Sequence, residues 1–150
     1  MNKEDIIKYR GVVIERFGNT EKLIDCIIMQ KYFKKPISVF MIEVLYDEFF
    51  SSALKINILS KIINNNKLIS KLKRLSQIRN DFAHSRLELE EYIDKNDIRK
   101  GTINRIHNPK KIDDNIDYDE LYSEFNKLSD NAEEVMFTYY KEIGGILIKK

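Results

Sequence analysis

The densest chemistry in this 150-residue sequence lies in one short stretch, Ile78-Arg79-Asn80-Asp81-Phe82-Ala83-His84-Ser85. An imidazole changes charge near neutral pH and can take or give a proton. A guanidinium stays protonated and fits the paired oxygens of a carboxylate or a phosphate. On a helical wheel of about 100° per residue with Leu68 at zero, Leu72, Leu75, Phe82 and Ile78 define a buried stripe between roughly 40° and −80°. Arg79 falls at about 20°, inside that stripe, whereas Asn80 at about 120° and His84 at about 160° sit one turn apart on its flank. A buried guanidinium without a partner is costly, so Arg79 requires a carboxylate, a phosphate or a solvated crevice. Two readings stay open at this level. Arg79 can pair with an acid of the second helix, Glu43 or Asp47, leaving His84 a surface or capping residue. Alternatively the three side chains form a reactive constellation.

The elements that must position these residues are helical. Ile6, Tyr9, Val13, Phe17, Thr20, Ile24 and Ile27 recur at spacings of three and four and predict an amphipathic first helix over Glu4–Phe33, with a kink near Gly18. Pro36 closes it. Ser38 caps a second helix to about Phe49, and Ser51 or Ser52 opens a third carrying Leu54, Ile58, Leu59, Ile62 and Ile63. Asn64, Asn65 and Asn66 form a loop, and a fourth helix spans Lys67–Ser85. Between about residues 87 and 116 the period dissolves into an irregular insertion with room for a small hairpin. Asp117 or Asp119 caps a last helix that Gly144 and Gly145 end near Ile143. The expected fold is all-α, an up-and-down bundle of four to five helices in one domain over residues 1–150, with the insertion before the last helix.

Composition agrees with that class. Hydrophobic residues make up 43% and charged residues 33%, the balance of a folded globular chain. Five Gly and two Pro are too few for the turns of a β-sandwich or barrel. No apolar run approaches a membrane span, and charges at Lys3, Glu4 and Asp5 stand where an export signal needs apolar residues, so a cytoplasmic setting is expected. A single cysteine, Cys26, excludes an internal disulfide and, alone, a cysteine zinc site; a small hydrophobe is its expected role. Net charge is only +2, but its distribution is uneven. Lys67 to Arg86 holds six basic residues and one acid, while Asp113 to Glu134 holds nine acids and one Lys, which suggests a positive face with its own purpose.

The string Arg79-Asn80-Asp81-Phe82-Ala83-His84 resembles the R-x4–6-H ribonuclease motif of the HEPN superfamily, with Asn in the polar position. Together with Phe49-Phe50-Ser51-Ser52-Ala53-Leu54-Lys55, it is most similar to the mannitol operon repressor-like branch. The resemblance covers roughly the first 86 residues in helix order. It implies a homodimer that brings two motifs into one cleft, and endoribonuclease activity without metal or other cofactor, in toxin–antitoxin, defence or RNA-processing settings. Arg79, His84 and Asn80 would be catalytic there: the imidazole as base or acid, the guanidinium on the dianionic phosphorane, the amide as orienting group. An RNA substrate and a cognate antitoxin or nucleotidyltransferase are the implied partners. Relatives modified by nucleotidyltransferases carry Tyr two positions after the His; here that position is Arg86. The alternatives are a non-catalytic interaction or regulatory module, and a scaffold whose cleft binds a nucleotide.

Lys73 and Arg86 are candidate substrate-binding residues flanking the cleft, or else part of a solvated face. Arg99, Lys100, Arg105, Lys110 and Lys111 surround His107 in the insertion, which reads as a surface loop. Asp113, Asn115, Asp117, Asp119 and Glu124 match calcium-loop positions, but Tyr118 replaces the required glycine, so helix-capping acids are expected. Tyr139 and Tyr140 read as core and rim.

Overall fold

The element that organises the fold is α1, Lys3–Phe33, which has neighbours on three sides. The computed structural model describes residues 3–34, 38–47, 50–84, 91–94, 97–100, 105–108 and 111–146, the backbone alone at 91–116. Ile6, Val13, Phe17, Ile24 and Ile27 of α1 are buried at the heart of one continuous apolar cluster. Beyond Thr20 the burial spreads round the helix to Leu23, Asp25, Ile28 and Met29. That is why the simple amphipathic stripe of the sequence applies only to its first half. The helix is continuous through Gly18.

Local signals start the remaining helices. Ser51 caps α3 (Ser52–Ile62) by accepting from the Leu54 amide. Asn65 opens α4 (Asn66–His84) by accepting from the Leu68 amide at 3.0 Å. Asp117 accepts from the amides of Asp119 and Glu120 at the start of α5 (Tyr118–Glu142), the capping role expected of these acids. The expected second helix is corrected. Among its described residues only Ser38–Phe40 (α2) is α-helical, and Met41–Leu45 winds more widely as a π-helical turn. Of this segment Leu45 is buried while Val39 and Ile42 stay exposed, so little packing holds it to α-helical geometry.

Cross-helix pairs give the directions. Along α1 and α5, Tyr9 stacks on Tyr122 (ring centroids 4.0 Å apart), Arg16 meets Asn126, Asp130 and Glu133, and Gln30 donates to the Ile143 carbonyl. Partners advance together, so α1 and α5 are parallel. Arg74 with Glu124 and Phe82 with Tyr118 run oppositely, so α4 is antiparallel to α5. A three-residue connection makes α3 and α4 antiparallel as well. With α2 and the π turn as the return from α1, the molecule is an all-α, up-and-down helical bundle.

The insertion carries two antiparallel hairpins rather than one: β1 (Glu91–Asp94) with β2 (Asp97–Lys100), and β3 (Arg105–Asn108) with β4 (Lys111–Asp117). The second has an irregularity between Ile106 and Asn108. At the end of α5, Gly144 adopts φ +85°, a left-handed conformation suited to glycine. A Cβ on Gly145 would stand 2.4 Å from the Tyr140 ring. No atom lies within 4 Å of a Cβ built on Gly18, outside its own helix backbone. Gly18→Ala is therefore expected to stabilise the fold by about 0.5–1 kcal/mol and Gly145→Ala to destabilise it by about 1–3 kcal/mol, both read from urea midpoints. Equal effects of the two substitutions would contradict this packing.

Candidate active site

Arg79 lies on the inward shoulder of α4, half-buried, where α1 and the start of α3 approach. Its Nη2 donates to Ser52 Oγ at 3.2 Å, and its guanidinium carbon sits 5.3 Å from the centre of the Phe17 ring. Ser52 in turn donates to Glu21 of α1. The carboxylate that answers Arg79 is thus Glu21, one hydroxyl away, and neither Glu43 nor Asp47 supplies its hydrogen bond. A hydroxyl and an aromatic face leave a guanidinium with donors to offer, unlike a bidentate carboxylate pair.

One turn further along both helices lies a second polar contact. Lys55 of α3 donates to Asp25 Oδ2 of α1 at 2.9 Å, with both side chains buried. The Tyr46 ring lies 5.9 Å from the Lys55 ammonium. Burial outweighs the Lys55 charge and lifts the Asp25 carboxyl to about 6. A cavity of about 430 Å³ opens beside this pair, lined by Glu21, Asp25, Tyr46, Phe50, Ser52 and Lys55 among others. Ser52 connects it to Arg79.

Asn80 and His84 point away from this cavity. Together with Lys73 and Gln77 they form an exposed stripe on α4, and His84 is its last residue. Arg79 and His84 are about 140° apart round the helix axis, so one chain does not converge them. Arg86 lies outside the described residues, as do the side chains at 91–116, His107 included.

The basic surface that charge counting suggests is answered in part from within. Arg74 makes two 2.7 Å bonds to Glu124, which hold that carboxyl below its usual range. Lys71 donates to Asn131. Of the other α5 acids, Asp130 and Glu133 meet Arg16 of α1, while Lys67 and Lys73 of α4 stay exposed.

Cys26 is half-buried, and burial pushes its thiol up, away from nucleophilic thiolate. Tyr139 donates to the Ile62 carbonyl, a core-edge role. Among the described residues, no group of three His, Cys, Asp or Glu side chains could hold a metal, and no helix is long and apolar enough to cross a membrane.

Ser52, Glu21, Asp25 and Lys55 are polar residues to which the sequence reading gives no site role, although Ser52 and Lys55 lie in the string that carries the resemblance. The signal was present but quiet: an acid within Leu23-Ile24-Asp25-Cys26-Ile27-Ile28, and a lysine beside Ile56 on α3. No protein-family model matches the chain, and comparison with curated proteins and with solved structures finds no match.

The Asp25 environment has a pH signature. Its folded carboxyl keeps a proton up to about 6, above the ordinary value of 3.8. Across that window the folded state binds more protons than the unfolded state, so this group's contribution to stability rises as pH falls. Relative to Asp25→Asn, the unfolding free energy of the wild type should gain about 2–3 kcal/mol between roughly pH 7 and pH 4. A flat difference in denaturant titrations over that range would show that Asp25 ionises normally.

Proposed function

We propose that the chain is a metal-independent endoribonuclease of HEPN type that acts as a homodimer, in a toxin–antitoxin or defence setting. The observation that carries this reading is the environment of Arg79. A permanent cation sits half-buried on the bundle's packing seam with a hydroxyl and an aromatic ring as its contacts, and an exposed imidazole follows at the end of the same helix.

RNA cleavage by its own 2′-hydroxyl needs a base on that hydroxyl, an acid on the leaving 5′-oxygen and a cation on the phosphorane. His84 supplies the proton-transfer group, Arg79 the cation, and Asn80 an amide to orient either. Lys73 and Arg86 would attract flanking phosphates. Because His84 and Arg79 diverge on one helix, a second copy is needed to make them converge, and it also brings a second motif imidazole. An antitoxin or nucleotidyltransferase would act on this assembly from outside.

A second reading, a non-catalytic interaction module of the mannitol operon repressor-like kind, draws on the Ser52–Glu21 link, which can hold Arg79 as a purely structural cation.

Labelled single-stranded RNA incubated with the full chain in excess chelator separates the two. Cleavage leaving 5′-hydroxyl ends is expected, and His84→Ala should slow it by at least about a hundredfold with the helical circular dichroism unchanged. Arg79→Ala should slow it comparably. Wild type as inert as His84→Ala, or activity that chelator abolishes, would sink the ribonuclease reading.

A further inference from the structure

The N-terminal half of α1 carries an apolar line that is left open among the described residues. Ile7, Gly11, Ile14 and Gly18 follow one another at steps of four, three and four, and lie within about 60° of each other round the helix axis. Asp25 falls at the same phase, and there α3 sits on the helix: Lys55 bonds Asp25, and Ser52 bonds Glu21. Because α3 begins at Ser52, the side it covers from Glu21 onward is open nearer the N-terminus. Ile7 and Ile14 are accordingly 54% and 43% exposed. A Cβ built on Gly11 or Gly18 would meet no atom within 4 Å outside the helix backbone. Glycine is the weakest helix former after proline, and the packing within one chain asks for a gap at neither position.

The order of large and small residues is its own complement. Two copies of α1 laid antiparallel, about an axis between Gly11 and Ile14, set every isoleucine over a glycine. Ile7 meets the partner's Gly18, and Ile14 meets the partner's Gly11. The missing side chains let the two backbones approach closely. The charges beside the line agree with the same register. Lys8 and Glu15, both exposed, lie along one edge of it. The two-fold axis brings Lys8 against the partner's Glu15, and Glu15 against the partner's Lys8, an arrangement that fixes orientation as flanking charges do in paired helices.

We propose that this face of α1 seats a second copy of the chain, antiparallel, and forms the seam of the homodimer. The need for a dimer rests on the ribonuclease reading; the position of the seam rests on α1. Phe17, whose ring centre is 5.3 Å from the Arg79 guanidinium carbon, lies between Ile14 and Gly18 in the sequence. The seam therefore passes within one turn of the contact that holds Arg79, and a partner seated there borders the motif helix. Residues 7–18 span only about 18 Å of helix, short against the roughly 1,600 Å² of a standard interface. The dimer is thus weak, with a Kd in roughly the micromolar range, and the gaps at Gly11 and Gly18 stand open in the dilute monomer.

Sedimentation velocity of the full chain at low salt tests the seam. Wild type should pass from monomer to dimer between roughly 1 and 500 µM. Gly11→Leu fills the gap beside the axis with a better helix former, so helical circular dichroism is kept while dimerisation weakens at least about tenfold. Lys8→Glu and Glu15→Lys each set like charges against one another twice across the axis, and each should weaken the dimer about fivefold or more. Combined in one chain, they restore opposite charges and should return the affinity to within about twofold of wild type. Lys8 and Glu15 are two turns apart on their own helix and do not meet there, so rescue reports a contact between chains.

A wild type that stays monomeric throughout, a dimer indifferent to Gly11→Leu, or charge reversals that fail to rescue one another would overturn the assignment. RNA cleavage by a dimer that these substitutions leave intact would defeat this inference and keep the ribonuclease reading. A dimer that responds as expected and cleaves no RNA would do the reverse.

Discussion

A helix of 31 residues that is covered on three sides leaves its own polar atoms few routes to water, and the rest of the molecule answers that constraint. Thr20 returns its hydroxyl proton to the Arg16 carbonyl one turn back. Arg16 reaches across to Glu133, Asp130 and Asn126, anchoring α5 in register. Asp25, as buried as Thr20, meets Lys55. A buried ion pair adds little net stability over an apolar substitute, yet losing one partner alone costs on the order of 3–5 kcal/mol. The Asp25–Lys55 contact therefore fixes where α3 lies against α1 more than it strengthens the fold. Ser52, one turn before Lys55, inherits its position from that contact and holds Arg79 in turn.

The uneven charge of the sequence finds a physical use in the same packing. Acids of α5 take cations from both neighbouring helices, Glu124 holding Arg74 of α4 and Asp130 and Glu133 holding Arg16 of α1. Along α4, Lys67 and Lys73 stay exposed, Lys71 meets only the neutral amide of Asn131, and Arg79 sits on the inner shoulder. Any polyanion that binds this helix meets a narrow cationic track, so recognition must draw on shape and on neutral donors as well as charge.

The helices were legible where periodicity and caps coincided. Ser51 and Asp117 mark the true starts of α3 and α5, and Gly144 marks a true end, because each satisfies a local backbone requirement; Asn65, read as loop, caps α4, which starts one residue earlier than expected. The segment after Ser38 was misread as a full helix because its apolar residues imply burial, whereas Val39 and Ile42 face outward and the backbone loosens into a π turn. The inward placement of Arg79 was visible from helix phase alone. Its partner was not, since Ser52 and Glu21 lie 27 and 58 positions away and only the tertiary packing brings them together. The Asp25–Lys55 pair was hidden for the same reason, 30 residues apart on helices whose relative register no local pattern encodes.

The pairs that join α1 to α5 span 110 to 117 residues of sequence, while α3 and α4 meet across a connection of three. Closing the outer seam therefore carries most of the entropic cost of topology, and that cost grows only with the logarithm of the intervening chain, by about 0.6 kcal/mol per doubling. The hairpin segment between His84 and Tyr118 lies inside that long loop. Its length can thus change considerably at almost no thermodynamic expense to the bundle. The fold tolerates variation most readily at the segment that follows His84, where new contacts could be acquired without repacking the interior.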